Sequence, residues 1–341
     1  MRQDKHGLAV NISLCLVSAV LALSAGELTL RANEILKDIK KGGKLRLSEN
    51  KVIGYEFKPN YRSQGFITNS FGFRGPEIEK EKKEGVFRVV VMGDSIAAAP
   101  NIKEAETYAS VIRTSLNRPD DHHHRYEVIN TGVMSYSVWQ YLEVYKVKVR
   151  PLKPDLVILG ICQNDFVRHL NFYTDMFGVV RSDMEVKPHE MDLQGEGFVN
   201  SLLLVQKLRA AARITRTSHA EERAPAQLAK SIPTLHGRWD EGGGATLTRL
   251  ARELKRDGVR FIFVIFPYRF QLLDTNAIAT DERFSRFCAD ENVECLDLME
   301  PYRKAGPGLY PVNDPLHPDA EGHAIAAHEI VALIAGKDMS Q

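Results

Sequence analysis

Cysteine is scarce in this chain, with four in 341 residues, and none stands at a spacing that metal sites use. Cys15 falls inside an apolar N-terminal run, so Cys162, Cys288 and Cys295 remain, an odd number that excludes a disulfide framework. Cys288 and Cys295 can pair in an oxidising compartment. Cys295, however, lies in a strand-like run and reads as a buried residue, which predicts two reduced thiols. An excess of one charge is also lacking: 45 basic and 44 acidic side chains leave +1, and no basic block is interleaved with aromatics. That excludes the phosphate-neutralising surface on which nucleic-acid binding depends. There is no internal repeat, and 44% hydrophobic with 26% charged residues carries no mark of disorder. One large α/β domain or two smaller ones fit this length.

Formal charge is absent from Gly7 to Gly26, "GLAVNISLCLVSAVLALSAG". As a helix, that run would cross about 30 Å of hydrocarbon. Residues 1–27 are therefore expected to be a transmembrane anchor or a cleaved signal peptide rather than part of the fold, with the rest of the chain exported or held outside the cytoplasm. Residues 28–85 form an N-terminal extension. Within it "VIGYEFKPNYRSQGFITNSFGFRGPEIE" alternates aromatics with turn residues and predicts short strands or a packed loop, and "KEKKEG" predicts a solvated link.

From residue 86 the pattern becomes regular. The runs "FRVVVM", "YEVIN", "DLVILGI", "RFIFVIF" and "VECLDL" are mostly continuous in hydrophobicity, as suits strands buried on both faces of a parallel sheet. Between and after them, Tyr108/Val111/Ile112, Val138/Tyr141/Leu142/Tyr145, Leu247/Leu250/Ala251/Leu254 and Ala320/Ala324/Ala327/Val331/Ile334 mark helices with one apolar stripe. The expected fold is α/β: a three-layer α/β/α sandwich around a five-stranded parallel sheet, over residues 86–336. One interval, about 166–243, is too long for a simple crossover. It holds "FYTDMFGVV", a helix-like "FVNSLLLVQKLRAAA" and a Gly242-Gly243-Gly244 end, and insertions of that size are usually functional or mobile.

Ligands of an open parallel sheet sit beyond the carboxyl ends of its strands, so the residues there are the ones to weigh. Strand one ends in Gly93-Asp94-Ser95, strand two in Asn130-Thr131-Gly132, and strand three in "GICQND" with Asn164. Strand five leads to "NDPLHPDAEGH" with Asp314 and His317. A serine hydroxyl needs a base to remove its proton, and the base needs a partner that fixes its tautomer and balances its charge. Ser95, His317 and Asp314 supply those parts; alternatively, Asp314 caps the helix that starts near Pro318. A tetrahedral intermediate also needs N–H donors, for which the Ser95 N–H, the Gly132 N–H and the Asn164 amide are candidates, a missing side chain at Gly132 letting a substrate oxygen approach. Gly132 as a turn and Asn164 as a self-bonded loop residue are the alternatives.

Taken together and in this order, Gly93-Asp94-Ser95, Gly132, Asn164-Asp165 and Asp314-x-x-His317 resemble the SGNH hydrolases of the GDSL esterase superfamily. The resemblance implies a flavodoxin-like fold and a serine esterase that uses Ser95 as nucleophile, His317 as base and Asp314 as its orienter. Ser95, Gly132 and Asn164 would form the oxyanion hole, with no metal or organic cofactor. "TNSFGFRG" (68–75) is similar to a segment that precedes the Gly-Asp-Ser strand in many bacterial members. Two positions depart from the pattern: Cys162 stands where the third block has glycine, with Gly160 two residues early, and Ile96 replaces leucine. An exported member is expected to remove acyl groups, acetyl foremost, from an envelope or extracellular glycan. A lipid or lysophospholipid esterase, an O-acyltransferase and a non-catalytic glycan-binding protein are the alternatives. Elsewhere, "HHH" (122–124) reads as a solvated run and His328 as ordinary. His323 reads as fixing the turn, and "FPYR" (266–269) as a pocket wall with Arg269 facing an acidic substrate, or as purely structural.

Overall fold

The computed structural model describes residues 14–33 (except 16, 20 and 31), 43–63, 65–118, 125–166, 169–174, 180–184, 239–273, 282–311, 314 and 316–338. The histidine run at 122–124 and "FVNSLLLVQKLRAAA" lie outside the described residues. The chain divides into two compact units: Met1–Gly43 with Thr174–Val179 and Val186–Ala224, and Lys44–Tyr173 with Val180–Glu185 and Pro225–Gln341. In the first unit the described residues of 14–33 are helical, and Leu14, Val17, Leu21, Leu23 and Leu28 stand exposed. No helix among the described residues is long and apolar enough to cross a membrane.

The second unit is built on five strands: β1 (Val86–Met92), β2 (Arg125–Asn130), β3 (Leu156–Ile161), β4 (Arg260–Ile265) and β5 (Glu294–Asp297). Every pairing is parallel, in the order β2-β1-β3-β4-β5. The expected three-layer sandwich is thus present. Its chain order reverses between β1 and β3, which puts the ligand crevice beyond their carboxyl ends.

Strand alternation sorts the side chains into two cores. Val90, Met92, Val157, Leu159, Phe261 and Phe263 face one layer, and Val89, Val91, Leu156, Ile158, Ile262 and Val264 face the other. Each such side chain, fully buried, contributes roughly 1.5–3 kcal/mol. The second face is covered by α1 (Ser95–Ala98), α2 (Tyr108–Leu116), α7 (Met299–Ala305) and α8 (Ala320–Asp338). The first is covered by α3 (Val138–Val144), α4 (Gly244–Arg256) and α6 (Glu282–Glu291), with α5 (Arg269–Leu273) following β4. Local signals start these helices where the sequence implies: the Thr107 hydroxyl accepts the Ser110 N–H before α2, and Ser137 with Gln140 forms a capping box before α3.

In α8 the fully buried stripe is Ala326/Ala327/Ile330/Ile334, with Ala320, Ala324 and Val331 only half-buried. Apolar residues crowd every face of that helix, so their spacing alone does not single out one.

The expected pair of reduced thiols is corrected: Cys288 on α6 and Cys295 on β5 form a disulfide, with Cα atoms 6.1 Å apart. β5 is an edge strand of the sheet, and Cys295 is exposed rather than buried. Its side chain points past the sheet toward α6, where Cys288 is half-buried.

Two short antiparallel ribbons, Leu45–Leu47 with Tyr55–Phe57 and Arg62–Ser63 with Phe66–Ile67, make up the packed extension. Ile53, Tyr55, Phe57, Phe66 and Phe73 enter the first core, so this segment is part of the second unit's interior. Of the long interval, the described residues form strands His169–Thr174 and Val180–Met184, paired with each other, and a turn at Trp239–Gly243 that packs the indole against Phe166 and Phe284.

Candidate active site

β1 runs into Gly93, whose φ of +154° and close surroundings exclude a side chain: a Cβ there would lie 2.8 Å from the Gly160 carbonyl oxygen and 2.9 Å from Ala97 Cβ. The chain therefore turns tightly into α1. Asp94 caps this helix, its Oδ1 accepting the Ile96 N–H at 2.9 Å, and Ser95 emerges half-buried beside it. Two side chains tie down α1 and the chain just beyond it. The Asn130 amide donates to the Ala97 carbonyl at 2.8 Å, and the Arg74 guanidinium donates to the carbonyls of Ala98, Ala99 and Ile102. Arg74 is buried, stacks its cation on the Phe66 ring, and bonds β2 through its own backbone N–H to the Asn130 carbonyl. Burial pulls its pKa down to about 10, against the raising influence of Glu104. "TNSFGFRG" thus acts as a clamp on the helix that carries Ser95, a role its sequence does not announce.

His317 Nε2 lies 2.8 Å from Ser95 Oγ, and its Nδ1 lies 2.8 and 2.9 Å from the two oxygens of Asp314. The residues between them in the chain number more than two hundred, and the fold brings the three side chains into one line. Asp314 does not cap the last helix. Asp319 does, its Oδ1 accepting the N–H groups of Glu321 and Gly322 at 3.0 and 3.1 Å, which leaves Asp314 to hold the imidazole and the His317 N–H. Ser95 Oγ also lies 2.9 Å from Asp94 Oδ2, so the one hydroxyl proton has two acceptors within reach.

Packing alone already requires glycine at 132. A Cβ at Gly132 would stand 2.5 Å from Ala97 Cβ and 2.8 Å from the Ala98 nitrogen, so its missing side chain makes room for α1. Its N–H donates to Asn130 Oδ1 at 3.0 Å. Asn164, in the turn after β3, reaches the same place through a chain of side chains: Ser95 Oγ touches Asp94 Oδ2, Asp94 Oδ2 lies 3.7 Å from Cys162 Sγ, and the Cys162 thiol donates to Asn164 Oδ1.

Cys162, where the glycine was expected, points into this buried floor with Asp94 and Asp165, and the three offer ligand-type atoms within 4.8 Å of one another. Burial, then the neighbouring carboxylates, pushes the Cys162 thiol well up, and burial with Asp94 nearby does the same to the Asp165 carboxyl. Both shifts favour the protonated forms; the Cys162 thiol donates to Asn164 Oδ1, and Asp165 Oδ2 accepts the Cys162 N–H at 3.1 Å. The hydroxyl of Tyr268, from the "FPYR" segment, was not singled out in the sequence and bonds Asn164 twice. Its position beyond the end of β4 was the available signal.

His323 lies fully buried under the site and accepts the Tyr108 N–H on Nδ1 at 3.1 Å, with the two rings stacked. It fixes the start of α2 rather than the loop of His317, and His328 is exposed. Burial first, then the charges of Arg74 and His317, hold His323 down to about 3. Its contribution to stability is complete above the unfolded value near 6.5 and is lost as pH falls toward the folded value. The unfolding free energy should therefore drop by on the order of 2–3 kcal/mol between pH 6.5 and 4.5 from this group alone. Denaturant melts of wild type and His323→Gln across that range check it: the variant should show the shallower slope, and parallel slopes would remove His323 as the cause.

A family model described as "GDSL-like Lipase/Acylhydrolase family" matches residues 91–325. Among solved structures, similar folds include LAE5, an alpha/beta hydrolase enzyme from the metagenome of Lake Arreo, Spain (15% identity, 73% of this chain and 95% of that chain, TM-score 0.43). Others are a catalytic mutant of Axe2, an acetylxylan esterase from Geobacillus stearothermophilus (15%, 73% and 94%, TM-score 0.44), and the psychrotrophic esterase EstA from Pseudoalteromonas sp. (13%, 74% and 99%, TM-score 0.39). No curated protein matches the chain.

Proposed function

We propose, for a chain that belongs to the GDSL-like lipase/acylhydrolase family, that its carboxylic ester hydrolysis proceeds by attack of Ser95 on the ester carbonyl. The observation that carries this reading is the continuous line from Ser95 Oγ through His317 to Asp314. As Oγ bonds to the carbonyl carbon, its proton passes to His317 Nε2, and the carboxylate of Asp314 balances the imidazolium. The carbonyl oxygen becomes an oxyanion, for which the Ser95 N–H, the Gly132 N–H and the Asn164 amide are the candidate donors. Gly132 would have to share its N–H with Asn130. The imidazolium then protonates the departing alcohol, and a water deprotonated by His317 releases the acid and restores the hydroxyl.

The finer reading is an esterase that removes acetyl groups from an envelope or extracellular glycan. The Cys288–Cys295 disulfide supports a domain outside the cytoplasm, since such bonds persist in oxidising compartments, and the exposed leucines and valine of the N-terminal helix support an association with lipid there. A half-buried serine with a histidine 32% and an aspartate 27% exposed supports a site open to a bulky glycan.

The purified protein, assayed on p-nitrophenyl esters from C2 to C12, should lose at least tenfold in kcat/KM between C2 and C6. A rising or flat profile would overturn the acetyl reading in favour of a lipid ester. Transfer of acetyl to an added oligosaccharide at the expense of free acetate would favour the transferase.

A further inference from the structure

We propose that Tyr268 is the positioning residue that sets which edge of the Asn164 amide faces the reaction. The inference rests on the reading above, in which Asn164 supplies a donor to the oxyanion.

A primary amide presents two edges that differ only by exchanging C=O for NH2. Rotating it by half a turn about its last bond replaces a donor with an oxygen, which repels the developing negative charge instead of stabilising it. The short asparagine side chain does not choose between these orientations by shape, so something must choose chemically. Tyr268 does so from the buried side. Its hydroxyl oxygen accepts the Asn164 backbone N–H at 2.9 Å, and its O–H donates to Asn164 Oδ1 at 3.0 Å. One hydroxyl therefore holds the main chain and the side chain of the same residue. The Cys162 thiol donates to the same Oδ1. With two donors on the carbonyl edge, the NH2 edge is turned away from the floor, and an inverted amide would set NH2 against two donors.

Tyr268 is itself well held. It is 3% exposed, its backbone N–H donates to Gln271 Oε1 at 2.8 Å, the Gln271 N–H returns to its carbonyl at 3.0 Å, and its ring packs on Phe270. Burial, then the neighbouring Cys162 and Asp165, raises its pKa well above the usual phenol range, which favours the hydroxyl as a donor. The glycine-to-cysteine departure fits the same device, because a glycine at 162 would leave Tyr268 as the one side-chain donor of the pair.

The test is a double-mutant cycle on kcat and KM for p-nitrophenyl acetate with Asn164→Ala, Tyr268→Phe and the double variant. Tyr268→Phe keeps the ring and removes only the hydroxyl. We expect it to lower kcat 10- to 100-fold with KM within about twofold, and to cost less than threefold further in the Asn164→Ala background. Inhibition by a small boronic acid, which forms a tetrahedral adduct on the serine, should weaken in parallel, while inhibition by acetate stays unchanged; these ratios, taken per folded enzyme, also separate positioning from loss of fold. Should Asn164→Ala lose activity while Tyr268→Phe keeps it, or should the two losses simply multiply, the inference is overturned and the parent reading stands. If Asn164→Ala retains wild-type kcat, the oxyanion role of Asn164 fails and the inference falls with it.

Discussion

Ser95→Ala is expected to reduce kcat/KM for ester hydrolysis by about 10⁴-fold or more, to the background set by binding and by the remaining donors. The change deletes one oxygen from a half-buried site. The residues that hold α1, namely Asn130 through the Ala97 carbonyl and Arg74 through three carbonyls, do not touch that oxygen. Fold and substrate binding should therefore persist, with KM little changed and the thermal midpoint within a few degrees of wild type. Removing the hydroxyl also removes its contact with Asp94 Oδ2. Loss of activity with an intact melting transition separates a missing nucleophile from a collapsed site, and activity within tenfold of wild type would exclude Ser95 as nucleophile.

His317→Ala is expected to cost about the same, 10⁴-fold or more in kcat, because a serine without its base and a base without its serine fail at the same step. The sum of the two changes should not exceed either alone: Ser95→Ala combined with His317→Ala should be no slower than the worse single variant. Asp314→Asn tests the third member differently. Asp314 accepts at His317 Nδ1 through both oxygens, and so fixes the tautomer in which Nε2 carries the lone pair. An amide offers a donor to Nδ1 and thereby favours the wrong tautomer, so a loss on the order of 10³- to 10⁴-fold is expected with little change in stability. Multiplicative losses in the Ser95/His317 pair would show that the two residues act independently and contradict the relay.

Much of this was legible because a parallel sheet restricts where chemistry can sit. The central strands β1, β3 and β4 are nearly continuous apolar runs, and the residues just beyond β1, β2 and β3 include Ser95, Gly132 and Asn164, so the strand ends alone point to a candidate site. The edge strand β5 was harder to read. "VECLDL" resembles its neighbours in composition, yet β5 has a partner on one side only and its exposure alternates, so Cys295 is exposed and bonded to Cys288 although the run reads as buried. Other features were hidden because their partners are backbone atoms. Nothing in "SFGFRG" says that Arg74 will satisfy three carbonyls at and just beyond the end of a helix more than twenty residues later, and the close approach of Gly132 to Ala97 depends on how α1 settles against β2. Tyr268 was visible only as a residue at a favourable address. Its grip on Asn164 arises from the loops after β3 and β4, whose path the strand pattern does not specify.

The most direct measurement is covalent: incubate the purified protein with a fluorophosphonate, digest it and locate the adduct by mass spectrometry. A phosphonylated Ser95 in wild type, formed at least a hundredfold more slowly in His317→Ala, is the result this account predicts. An adduct at another residue, or labelling of Ser95 that proceeds at the same rate without His317, would contradict it.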